Sequence, residues 1–126
     1  MELNDISGAI VDAAIEVHRE LGGPGLLESV YEEALAAELS ERGFKIARQI
    51  RVPVVYKGRR LSTDLRLDLL VEESVIVERK ATSVTNPVFA AQALTYLRLL
   101  DLKLALVINF GKQRVVDGIR RVVNGL

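Results

Sequence analysis

The chain of 126 residues contains no cysteine and no tryptophan, one histidine (His18) and three prolines. Without cysteine there are no disulfides, no thiolate nucleophile, no zinc finger and no iron–sulfur cluster. A lone histidine excludes a multi-histidine metal site or a two-histidine mechanism within one chain, so any metal must rest on oxygen ligands. No apolar run approaches the roughly 18–20 residues of a membrane span, and no membrane partner is expected. The first residues, Met1 to Asp5, lack the basic stretch and apolar core of a signal peptide. The expected address is therefore cytoplasmic. What the chain does have is apolar content: 49% of its residues are hydrophobic, which excludes a disordered chain and fits a single domain over residues 1–126.

Seventeen basic and seventeen acidic residues cancel, but they are segregated. Residues 1–41 carry ten acids against the single base Arg19, whereas residues 42–60 carry Arg42, Lys45, Arg48, Arg51, Lys57, Arg59 and Arg60 with no acid. Two readings of this asymmetry stand: a face turned toward a polyanion, or basic strands paired with acidic helices and water.

Apolar residues at helical spacing (Ile6, Ile10, Ala14, Val17, Leu21) predict an amphipathic helix over residues 5–21. It stops at the Gly22-Gly23-Pro24-Gly25 cluster. A second helix is expected over about residues 26–42, closed by Gly43. Phe44 to Tyr56 reads as a strand, with Pro53 marking an edge or bulge. Residues 57–59 form a turn. Leu61 to Val71 and Val75 to Ala81 are two further strands. Asn86-Pro87 opens a helix that runs to about Leu100, and Lys103 to Phe110 is apolar on both faces, as a central strand should be. A short last strand is expected at Arg114 to Val116. The resulting order, α-α-β-β-β-α-β-β, is an α/β domain with a mixed sheet.

The most informative stretch runs from Asp68 to Lys80. A three-residue turn at 72–74 makes paired positions sum to 146, which sets Asp68 opposite Glu78 and Arg66 opposite Lys80. Leu65, Leu67, Leu69, Val71, Val75 and Val77 then share the other, apolar face. Two carboxylates directly opposed in a sheet repel one another, and a divalent cation between them converts that repulsion into attraction. Oxygen-only ligation selects magnesium, manganese or calcium. Lys80 projects from the same face, where its ammonium can steady a metal-bound water or charge developing on a phosphate. The competing reading is a surface pair of Glu78 and Lys80, which would be weak. Glu28 and Tyr31 share one face at the start of the second helix, and Gln92 and Tyr96 share one on the third. Gln92 stands on a largely apolar helix, where a buried amide must find partners. His18, flanking an apolar stripe, reads as a packing residue, Gly25 as a turn residue, and Asn109 is given no role.

Taken in order, these pieces resemble a known family. The run Val17-His18 through Leu21-Gly22 and Gly25-Leu26-Leu27-Glu28-Ser29-Val30-Tyr31 is similar to the signature of the GxxExxY proteins, a prokaryotic branch of the PD-(D/E)xK nuclease superfamily. Asp68-Leu69-Leu70-Val71, Val77-Glu78-Arg79-Lys80-Ala81, Gln92 through Tyr96-Leu97 and Ile108-Asn109-Phe110-Gly111 continue the resemblance across nearly the whole chain. It implies a restriction-endonuclease-like core, with the mixed sheet flanked by helices. It implies that Asp68 and Glu78 bind Mg2+ or Mn2+, that Lys80 is the catalytic lysine, and that Glu28 is an outer or second-metal ligand. Gln92 and Tyr96 resemble the Q-x-x-x-Y element that lines the site beside the nucleic-acid backbone; Tyr31 is assigned with them to substrate. Two departures stand out: Leu67 replaces the proline of the motif, and Arg79 places a charge on the apolar face, where it must snorkel or meet an acid on a helix. The expected function is metal-dependent hydrolysis of DNA phosphodiester bonds, by a homodimer if a small domain is to cover two strands. The competing expectation is a catalytically silent nucleic-acid-binding or assembly module on the same fold.

Overall fold

The computed structural model describes all 126 residues. Helix α1 (Leu3–Glu20) buries Ile6, Ile10, Ala13, Ala14 and Val17, the stripe that the helical spacing marks out. A glycine-rich loop with positive φ at Gly22, Gly23 and Gly25 turns the chain into α2 (Glu28–Glu41). The strands follow: β1 (Ile46–Val52), β2 (Val55–Tyr56), β3 (Arg59–Arg60), β4 (Leu65–Val71) and β5 (Val75–Lys80). Helix α3 (Val88–Leu100), β6 (Leu104–Asn109), a 3-10 turn (Val115–Gly118) and β7 (Ile119–Val123) complete the fold. No helix is long and apolar enough to cross a membrane.

The main sheet has the order β1-β4-β5-β6-β7. Only β5 and β6 run parallel, joined by α3, and the other neighbours are antiparallel. The sheet is mixed, as expected. All six residues of β6 are buried, which matches its reading as a central strand. Helices α1 and α2 cover one face of the sheet and α3 the other, giving two separate cores. Asn86 accepts the Val88 N–H at 3.0 Å and so starts α3.

Two boundaries differ from the sequence reading. The expected strand from Phe44 to Tyr56 is broken at Pro53, which lacks the N–H a ladder needs. Beyond it, Val55–Tyr56 and Arg59–Arg60 form their own small hairpin. Its two-residue turn, Lys57-Gly58, has positive φ at both positions, as hairpin twist demands. The expected strand at Arg114 to Val116 is instead largely the 3-10 turn. Val115 plugs the α1–α2 core, and the last strand begins only at Ile119, pairing with β6 up to Leu104↔Val123.

A third difference shapes the site. The predicted hairpin register holds for Val71↔Val75, Leu70↔Ile76 and Leu69↔Val77, but the ladder ends there, one pair short of Asp68 and Glu78. Leu65 and Leu67 do not share a face with Leu69 and Val71. The first two pack with Val52 and Ile50 under α3, the second two with Ile46 under α1 and α2. Both β1 and β4 therefore change face at one level, where Gln49 adopts φ 52° beside Asp68. A left-handed residue breaks the period-of-two alternation on which the single-face expectation rested.

Candidate active site

Where the β4–β5 ladder ends, side chains take over the hydrogen bonds. The Asp68 N–H donates to Glu78 Oε2 at 2.7 Å, and the Arg79 N–H donates to Asp68 Oδ2 at 2.9 Å. Each strand's carboxylate thus caps the other strand's backbone. Strand β5 alternates regularly, so Glu78 and Lys80 lie on the α3 face with Ile76, while Arg79 faces α2.

Glu78 is only 5% exposed. Burial foremost, and then the charge of Asp68, push its carboxyl up to about 8, against the opposing pull of the Asp68 N–H and Lys80. At neutral pH Glu78 accordingly keeps its proton. Asp68 Oδ1 has a single long bond, from Gln49 at 3.4 Å, and Glu78 Oε1 has none. Each acid thus keeps one poorly satisfied oxygen, and a cation there would relieve the repulsion between them. This donor set fits a hard divalent cation.

Lys80 forms no ion pair with either acid. Its ammonium lies 4.6 Å from the centroid of the Phe89 ring at the start of α3, an attraction to the ring face that holds the charge beside the carboxylates without neutralising them.

Glu28 is placed differently from its expected role. No group of three acids or histidines is gathered for a metal, because Glu28 is bound by Arg79, whose Nη1 donates to its Oε2. Asp68, Glu78 and Glu28 are therefore not gathered as the expected three-ligand set requires, and the intervening arginine holds Glu28 apart from the two strand acids. The helix acid that Arg79 was expected to meet is thus found twice over, since Arg79 Nε also donates to Glu32 at 3.1 Å. Glu32, 2% exposed, additionally accepts from Arg48 Nε at 3.1 Å and Gln49 Nε2 at 2.7 Å. Burial works against the Arg79 charge, but Asp68, Glu28 and Glu32 together outweigh it and raise its pKa. The sequence reading missed Glu32, Gln49 and Arg48 as parts of the site. The available signal was spacing: Glu32 stands one helical turn after Glu28.

Tyr96 approaches the acids from α3. Its hydroxyl donates to the Arg66 carbonyl at 3.2 Å, and burial, then Glu78 and Asp68, raise its pKa. Gln92, one turn earlier, is exposed to solvent, so the argument from a buried amide does not apply to it. Tyr31 is not positioned to touch a substrate, and that expectation is corrected. It is fully buried, stacks on Phe110 at 4.6 Å, donates to the Gly23 carbonyl at 2.7 Å and accepts from the Leu26 N–H at 3.2 Å. Its place is to pin the loop that launches α2. His18 is a packing residue, as read: it is buried, with Nε2 against the Phe110 carbonyl at 3.1 Å, which requires the proton on that nitrogen.

The basic segment divides between its two readings. Arg42, Lys45, Arg48 and Arg60 pair with Glu38, Glu73, Glu32 and Asp64 respectively. Arg51, Lys57 and Arg59 are exposed and have no carboxylate partner.

No curated protein and no solved structure matches the chain. The family model of the PD-(D/E)XK nuclease superfamily matches residues 4–122, nearly the full length and all of the sheet but Val123. An acid from each of two adjoining strands, with a lysine two residues after the second, is set where that sheet opens, and the chain belongs to the PD-(D/E)XK nuclease superfamily.

Proposed function

We propose that this protein, of the GxxExxY branch, is a nuclease that hydrolyses DNA phosphodiester bonds with Mg2+ or Mn2+ held by Asp68 and Glu78. The observation that carries this is the reciprocal Asp68–Glu78 brace, which leaves Asp68 Oδ1 with one long bond and Glu78 Oε1 with none. A cation bound there supplies a Lewis acid and a water of lowered pKa. Asp68 and Glu78 would hold it, with Glu78 giving up its proton to do so. Lys80 orients the attacking water and balances negative charge on the phosphate from the same face. Arg79 draws Glu28 and Glu32 toward Asp68, so Glu28 acts on the site through the arginine. Tyr96 and the exposed Gln92 border the path of the backbone, and Arg51, Lys57 and Arg59 offer it cationic contacts. A second copy of the chain would extend this short footprint across both strands; light scattering with DNA tests that, and a strict monomer would remove it.

Plasmid cleavage in Mg2+ or Mn2+ is the deciding assay. Wild type should cut, and Asp68→Ala and Lys80→Ala should each lose about 100-fold or more in rate, the usual scale of a lost charge-stabilising group. Equal cutting by wild type and both variants would overturn the mechanism. Calorimetric titration with Mn2+ separates a nuclease from a silent assembly module, which would take up no metal at Glu78.

A further inference from the structure

A hollow of about 150 Å³ opens on the α3 face between the start of that helix and strands β6 and β7. Its lining includes Phe89 and Ala90 from α3, Val107 and Asn109 from β6, Lys112 and Arg120. The sheet register ties it to the acids. Val107 is the partner of Glu78 across the parallel β5–β6 ladder, and Asn109 is the partner of Lys80. Arg120 stands opposite Val107 on the far side. The hollow is therefore one strand, about 5 Å, from Glu78 and Lys80. Phe89 belongs to both places, since it lines the hollow and carries the Lys80 ammonium.

Asn109 gives the hollow its chemistry. It is 5% exposed, and its Oδ1 is fixed by the N–H groups of Thr82 at 3.1 Å and Gly111 at 2.9 Å. Its Nδ2 has no partner in the protein and no buried side-chain atom is left unsatisfied, so that amide reaches the open space of the hollow it lines. A donor fixed in place by the bonds to its own Oδ1, with no acceptor from the protein, is free to bond a ligand that enters the hollow. The size sets a limit on what enters: an apolar cavity of about 150 Å³ takes a benzene ring. The lining also includes Asp117, which offsets one of the two cations and argues against a bare phosphate.

We propose that this hollow receives one unstacked nucleobase of the substrate, of pyrimidine size, with Asn109 Nδ2 donating to its O2 carbonyl. The source of the base rests on the nuclease reading above. Phe89, Ala90 and Val107 enclose the ring, and Lys112 and Arg120 at the rim meet the attached phosphate. A nucleotide drawn in here cannot stay stacked in a duplex, so the preferred substrate is a single strand or a frayed end.

Binding is tested apart from catalysis, by NMR of the metal-free protein titrated with dCMP, deoxycytidine, dGMP or inorganic phosphate. Saturable movement of the Asn109 side-chain amide with dCMP and deoxycytidine, weaker with dGMP and absent with phosphate, is the expected result. Ala90→Leu should fill the hollow and abolish it. Asn109→Asp keeps both accepted bonds but removes the donor, and should weaken dCMP by about tenfold, the worth of one hydrogen bond left unpaired. Equal response to phosphate, no response to any nucleotide, or full dCMP binding by Ala90→Leu would each overturn the proposal. If dCMP binds but wild type cuts no DNA, the pocket stands and only the nuclease reading falls. If wild type cuts, scanning a single strand with abasic positions should find one whose loss slows cleavage about tenfold; no such position overturns the pocket alone.

Discussion

Glu78 is a carboxylate placed where a carboxylate is uncomfortable, buried beside a second acid. Its folded pKa of about 8 lies above the ordinary value of 4.5, so the folded state holds this proton more tightly than the unfolded chain does. The resulting stability is fully present below pH ~4.5 and is lost as pH rises through about 8. Thermal melts of the metal-free protein should fall across that window, Glu78→Gln should flatten the fall, and added Mn2+ should restore the melting temperature at pH 8. A slope unchanged in Glu78→Gln would contradict this account of the acid pair. Arg79 meets the complementary demand. Its removal leaves Glu32 buried with only Arg48 and Gln49, and frees Glu28. Arg79→Ala should destabilise by about 3 kcal/mol in urea unfolding, the scale of a broken buried ion pair, whereas Arg79→Lys should recover only part of this because one ammonium cannot fork to both acids.

At the scale of elements, the turn after α1 and the face change in β1 and β4 bring the site together. Tyr31 ties the glycine loop to the core through two hydrogen bonds and a stacked ring. Tyr31→Phe keeps the ring and loses the hydroxyl, so a cost of about 1–2 kcal/mol is expected, seen first as faster hydrogen exchange in residues 22–28. Protection unchanged there would show that the loop holds itself. After β6, Gly111 lies so close to Thr82 that an added Cβ would fall 2.3 Å from its carbonyl oxygen. Both sides of that contact are backbone and neither can yield cheaply. Gly111→Ala should therefore disturb the segment that buttresses Asn109 and lower the melting temperature, with the Asn109 amide resonance as the local reporter.

For the molecule as a whole, net charge is zero, so attraction to a polyanion must come from local groups of unpaired cations. Arg51 and Arg59 are exposed and unpaired, while the paired Arg42 and Lys45 are already engaged. Arg51→Ala and Arg59→Ala should each lower the slope of log affinity against log salt by about 1 on duplex or single-stranded DNA, and Arg42→Ala should leave it unchanged. A slope indifferent to all three would move the nucleic-acid face elsewhere.

The α/β class, the two helices before the sheet, the central β6 and the nearness of Asp68 to Glu78 were legible in the chain, because each is written in local patterns: apolar periodicity, turn residues, and like charges opposed at a fixed register. The last strand was misplaced because Val115-Val116 has the composition of a strand, whereas Val115 is claimed by a core built from distant helices. Gln92 was misjudged because helical spacing does not say which side of α3 meets water. Tertiary structure alone decided that β1 and β4 switch faces at Gln49 and Asp68, that Arg79 captures Glu28, that Glu32 is buried beneath them, and that Asn109 lines a hollow next to the acids. Hydrophobic patterning is a property of neighbours along the chain and fixes elements. The environment of a charge depends on groups tens of residues away, and only packing brings those within reach.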